Sequence, residues 1–149
     1  DDTWEYDPGT VARWTTHGSG CQGTSGVPSL RPVGASLPIV GTTFQLELLG
    51  IPGNAAAISF GFSDTQWNGG ALPFDLGAFG MTGCTLHASP DFLFFAPVVA
   101  NRATHAWTLP NAPSLTGVRF FKQGFVLHPG INPTGATVSN AGAGIIGPF

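Results

Sequence analysis

Apolar and polar residues alternate with period two along much of this chain. In "FQLEL" (44–48), Phe44, Leu46 and Leu48 share one face while Gln45 and Glu47 take the other. In "ISFGFS" (58–63), Ile58, Phe60 and Phe62 alternate with Ser59, Gly61 and Ser63. Both patterns predict half-buried strands, because successive side chains of a strand point to opposite faces. "FLFFAPVV" (92–99) is apolar on both faces and predicts a buried strand, with Pro97 requiring an edge, an end or a bulge. "TVARWTT" (10–16), "HAWTL" (105–109), "VRFFKQGFVL" (118–127) and the small-residue run "GATVSNAGAGIIG" (135–147) complete the strand set.

Turn clusters separate these runs: "IPGN" (51–54), "NGG" (68–70), "LPNAPS" (109–114) and "HPGINPTG" (128–135). No stretch keeps a helical apolar period for ten residues. Seven to nine short, mostly antiparallel strands with turns between them predict an all-β domain, a β-sandwich or jelly roll. The expected organisation is one domain over 10–149, preceded by an arm over 1–9.

Composition supports a folded chain. Glycine (22) and proline (13) are abundant, but 42% of residues are hydrophobic and phenylalanine occurs 12 times, enough to build a core. Only 9% are charged, well below the average for a soluble protein. The charge is uneven: Asp1, Asp2, Glu5 and Asp7 are half of the eight acids, and the remainder is close to neutral. No basic patch exists to hold nucleic acid. No apolar run reaches the length of a membrane span.

The two cysteines, Cys21 and Cys84, read as one disulfide, with two buried thiols as the alternative. A metal site is disfavoured, since neither has a second ligand at CxxC-type spacing. The chain starts at Asp1 without methionine, as a secreted protein does after signal removal, although an arbitrary chain boundary gives the same start. The expected location is extracellular, at the cell surface or in a matrix.

The ordered series "GSGCQGTSGVPSL" (18–30), "ISFGFS" (58–63), "ALPFDLGAFGMTGCTLHASPD" (71–91) and "LPNAPSLTGVRFFKQGFVLHPGINPTGATVSNAGAGIIG" (109–147) resembles an uncharacterised domain found in many secreted bacterial proteins. That domain is often appended to the C-terminus of larger chains. Its pattern runs GxGCxGxxGxP, LPxDLxxxGxxGCxL, PSLxGxxFxxQ and SNAxxxxIG. The likeness covers roughly residues 10 to 147 and implies a secreted β-sandwich in which Cys21 and Cys84 pair. It implies no catalytic residues. A stand-alone domain is expected here, which departs from the family's usual context, and residues 1–9 lie outside the pattern.

Catalytic and metal chemistry find little support. Ser19 and Ser25 sit in glycine-rich turns, but no GxSxG elbow is present, and His17, His87, His105 and His128 are scattered. His87 and Asp91 would share a face only on a helix. "DTQWNG" (64–69) followed by Asp75 lacks the alternating spacing of a calcium loop, and reads as a polar turn capped by Asp64. The expectation is a non-enzymatic protein without cofactor or metal.

Two non-enzymatic functions remain. The first is a structural subunit of a self-assembling fibre or matrix, partnered by copies of itself. With one lysine in the chain, the strand edges lack the charges that keep soluble monomers apart. Trp4 and Tyr6, two apart and surrounded by acids, would share one face of an extended segment. An arm this acidic frays unless it docks, either on its own domain or on a neighbour. As a donor strand over 1–16 with Trp4, Tyr6 and Trp14 as anchors, the N-terminal segment would join subunits into a filament; the C-terminal strand 135–147 is the less favoured donor, since the family pattern needs it inside the domain. The second function is carbohydrate binding or adhesion through Trp67, with Asp64 and Asn68 beside it: a flat ring with amide and carboxylate neighbours suits a glycan. Any glycan carried by the chain itself would be O-linked, because the lone "NPT" (132–134) is blocked by Pro133. Assembly is the favoured reading.

Overall fold

The computed structural model describes residues 11–149, which form an all-β fold. Twelve strands follow in order: β1 (Arg13–His17), β2 (Ser29–Pro32), β3 (Thr43–Leu49), β4 (Ala55–Phe60), β5 (Gln66–Trp67), β6 (Gly70–Ala71), β7 (Phe74–Asp75), β8 (Thr85–Leu86), β9 (Phe92–Val99), β10 (Arg102–Thr108), β11 (Arg119–Leu127) and β12 (Ala136–Ile145). Eight of them make one antiparallel sheet in the order β1-β12-β11-β4-β9-β10-β3-β2. Each strand run read from the sequence falls on one of these eight. The eighth, β2, was hidden in a glycine-rich segment and contributes one fully buried residue, Leu30.

The sheet folds back on itself into two layers. Leu30 N donates to Asn140 Oδ1 at 2.9 Å, and Asn140 Nδ2 donates to the Leu30 carbonyl at 3.0 Å, which ties β2 over β12. Alternation then decides the core. Phe44, Leu46 and Leu48 of β3 meet Ile58 of β4 and Phe120 and Val126 of β11 between the layers. Trp14 of β1 joins them, its ring 5.6 Å from Phe44 and 6.3 Å from Phe120. Gly142 on β12 leaves the room this indole needs, since a side chain there would collide with the ring.

The segment between β4 and β9 covers the outer face of β11 and β12. It carries the hairpins β5–β6 and β7–β8 and a 3₁₀ turn at Leu76–Phe79, capped by Asp75 Oδ1, which accepts from Gly77 N at 2.8 Å. Leu72, Leu76, Met81 and Leu86 form a second core with Val138. The Cys21–Cys84 disulfide lies within it and staples the segment to the β1–β2 connection. Gln123, fully buried on β11, ties this segment to the sheet: its amide nitrogen donates to the Thr85 and Ser139 carbonyls, both at 2.9 Å, and its Oε1 accepts from His87 N at 2.9 Å.

One expectation is corrected. β9 matches its sequence limits but is not buried: Phe92, Leu93, Phe94 and Phe95 are 55, 48, 44 and 76% exposed. An apolar pattern on both faces reports surfaces that want cover, and here neither face receives it fully.

Candidate functional site

The two strands β9 and β10 should pair along their length, being joined by a tight turn. Ala100 and Asn101 take left-handed φ angles of 54° and 65°, as a two-residue hairpin turn demands. Yet the ladder holds only at Val99–Arg102 and Val98–Ala103. Beyond that the strands part. Residues 92–97 of β9 stay with β4, and residues 104–108 of β10 stay with β3. Among the described residues their facing edges are unpaired. By contrast the outer edges of the sheet, β1 and β2, are short strands of five and four residues.

The parted strands open a cleft of about 470 Å³ into the end of the sandwich. Phe92 and Phe94 line it from β9, His105 and Trp107 from β10, Phe60 from β4 and Lys122 from β11. The walls are one aromatic assembly. Phe60 and Trp107 meet edge to face at 5.0 Å, Phe60 stacks on Phe120 at 5.7 Å, and Phe94 stacks on His105 at 5.4 Å.

Lys122 is the only lysine of the chain and is 1% exposed. Its Nζ has no hydrogen-bond partner among the described residues. It faces aromatic rings instead, 4.7 Å from the centroid of Phe60, 5.3 Å from Trp107 and 5.9 Å from Phe94. Ring quadrupoles attract a cation but do not replace the acceptors it loses on leaving water. Burial accordingly pushes the lysine pKa down to about 7. His105 is pushed down to about 4, first by burial and then by the nearby Lys122 charge. Among the described residues no carboxylate lines the cleft. A groove of this kind suits an occupant with flat apolar groups and an anionic acceptor.

A larger groove of about 650 Å³ lies on the outer face, where Leu93 and Phe95 of β9 and Leu127 of β11 face Phe79 and Trp67. Trp67, 37% exposed, also borders a smaller recess with Asn68, which sits at the β5–β6 turn with φ 52°. Asp64 lines neither of them. The expected capping by Asp64 falls to Ser63, whose Oγ accepts from Thr65 N at 3.1 Å and Gln66 N at 3.0 Å.

Of the proposed assembly anchors, Trp14 packs in its own core, while Trp4 and Tyr6 lie outside the described residues. The histidines serve local roles. His87 Nε2 pairs with the Ser19 carbonyl at 3.3 Å, with burial holding its imidazole below the ordinary range, and His128 Nε2 pairs with Thr24 Oγ1 at 2.8 Å. Asp91 Oδ2 accepts from Ser89 Oγ at 2.9 Å and Phe62 N at 3.2 Å rather than meeting His87. Among the described residues no three His, Cys, Asp or Glu side chains gather as a metal site would require, and no helix is long and apolar enough to cross a membrane.

Reading the sequence for chemistry missed Lys122. The signal was available: strand alternation puts it on the same face as Phe120 and Val126, an apolar face. Comparison with family models, curated proteins and solved structures finds no match for the chain.

Proposed function

We propose that this domain is a non-enzymatic structural subunit of an extracellular assembly, joined to its neighbours by strand addition. The carrying observation is the cleft between β9 and β10, where two unpaired edges face each other above an aromatic floor. An extended segment entering it gains main-chain hydrogen bonds from the edges and side-chain pockets from Phe60, Phe94 and Trp107. Residues 1–9 are the donor: Trp4 and Tyr6, at period two, present two large rings to one side. They lie N-terminal to β1, three residues before it, and Trp14 belongs to the recipient's own fold. Donation from each copy to the next is a heterologous contact that does not close, so the product is a filament. The disulfide is compatible with an oxidising, extracellular setting.

Size-exclusion chromatography and negative-stain electron microscopy of natively secreted protein test this. Filaments are expected from the full chain, and deletion of residues 1–9 should leave a monomer a little below the full chain's 15.4 kDa. A monodisperse full-length monomer would sink the proposal.

The carbohydrate reading keeps one supporting observation, the exposed ring of Trp67 at the mouth of the outer groove. Glycan binding that is lost in Trp67→Ala would establish it. Glycan binding that survives the substitution, or is absent from the start, would remove it.

A further inference from the structure

We propose that Lys122 is the charge-reading residue of the β9–β10 cleft and that its partner is the Asp2 carboxylate of a neighbouring copy. This rests on the strand-addition reading and specifies which contact fixes the donor in place.

The starting point is an ammonium group that the domain surrounds and does not satisfy. Lys122 Nζ is buried, faces three rings and has no acceptor among residues 11–149. A buried charge of this kind is costly unless paired. The four acids of the described residues are placed elsewhere. Glu47 is held by Arg31 at 2.8 Å and Arg102 at 3.3 Å on the outside of β3. Asp75 caps the 3₁₀ turn, and Asp91 is engaged by Ser89 and Phe62. Asp64 sits in the turn before β5 and does not line the cleft. Among the described residues His105 of β10 is the one other titratable group lining the cleft, and it supplies no negative charge.

Every remaining acid lies in residues 1–9: Asp1, Asp2, Glu5 and Asp7. The rest of the chain carries four acids against five Lys and Arg, so the arm holds the negative charge that the domain lacks. Strand geometry then chooses among the four. In an extended segment, residues two apart share a face. In an extended donor, Asp2 would therefore share the face of Trp4 and Tyr6, the pair that suits an aromatic cleft. Asp1, Glu5 and Asp7 would fall on the opposite face. The segment thus offers two rings and one carboxylate to a groove that offers aromatic walls and one unpaired ammonium.

A double-mutant cycle on the full-length protein tests the pairing, read as the critical concentration for filament formation. Asp2→Asn should raise that concentration roughly tenfold or more in the Lys122 background and have little effect in the Lys122→Met background. Asp1→Asn, on the opposite face, should change little in either. The single lysine allows a second readout that needs no substitution. With ε-¹³C-lysine, the one resonance should titrate near neutrality in unassembled protein and stay protonated beyond pH 9 in filaments. Equal effects of Asp2→Asn in both backgrounds, or a filament lysine that still titrates near neutrality, would overturn the pairing while leaving assembly intact. A full-length chain that never assembles would overturn both.

Discussion

Glu47 and Lys122 are both buried ionisable side chains, 7 and 1% exposed, and the fold treats them in opposite ways. Glu47 sits on the outer face of β3 between strands that each bring an arginine to it: Arg31 Nε at 2.8 Å and Arg102 Nη1 at 3.3 Å. The register explains this, since Arg31 stands directly across from Glu47 and Arg102 lies at the diagonal position on β10. Lys122 sits on the inner face of β11 and meets only rings. The acid is complete within one chain. The lysine lacks a counterpart among residues 11–149, and it lies where the sheet has come apart. A paired charge is an internal matter of the fold, whereas an unpaired one beside an open cleft marks where something else is due.

The largest expected effect comes from removing the uncompensated charge. Lys122→Met should stabilise the unassembled protein, because methionine fills similar space without the cost of burying an ammonium. A shift from 10.5 to about 7 corresponds to a penalty on the order of 5 kcal/mol. Its pH dependence follows from proton counting. Below pH 7 the amine is charged in both folded and unfolded chains, so the whole penalty applies. Between about 7 and 10.5 the unfolded chain holds a proton that the folded chain has lost, so stability rises with pH. Above that range both are neutral and the penalty is gone. Urea unfolding should therefore show the substitution most stabilising at pH 6 to 7, with its advantage shrinking toward pH 10.5. A wild-type stability that is flat over this window would contradict the account.

The paired acid should respond in the other direction and by less. Glu47→Gln removes the charge facing Arg31 and Arg102, whose side chains are 55 and 53% exposed and can turn to water. A loss of about 1 to 2 kcal/mol in denaturant unfolding is expected. Because Glu47 lies on the outer face and away from the cleft, the critical concentration for assembly should not move. A Glu47→Gln protein that folds normally but fails to form filaments would place the interface on the outer face of β3 instead.

This contrast was only half legible in the sequence. Apolar runs between turn clusters located seven of the eight sheet strands, with period-two alternation clearest in β3 and β4, which each bury one face. β2 escaped, since "SLRP" buries a single leucine between a glycine-rich turn and a proline. The pattern also marked Phe92–Phe95 as apolar on both faces, but strand pattern carries no information on whether neighbouring elements cover those faces. The cleft exists because β9 follows β4 while β10 follows β3, a divergence set by pairings between residues dozens of positions apart. Lys122 was readable as a lysine in core phase. What could not be read was that three rings would surround it and no carboxylate would reach it from residues 11–149. The short β7–β8 hairpin likewise packs through Phe74 and Leu86 beside Phe125 of β11 and shows no alternation to read.

The smallest effect separates burial from charge within the cleft itself. His105 is pushed down to about 4 by burial first and by the Lys122 charge second. Between that value and 6.5 the unfolded chain binds a proton that the folded chain refuses, so stability should fall as the pH drops from 6.5 toward 4. Lys122→Met removes the second cause and leaves the first. The imidazole pKa, followed by NMR in the substituted protein, should therefore rise but remain below 6.5. A return to the ordinary value would mean that the cleft is wetter than its walls suggest, and that the lysine charge rather than the aromatic surroundings governs it. No change at all would mean that Lys122 is already neutral when His105 titrates, which a lysine pushed down only to about 7 forbids.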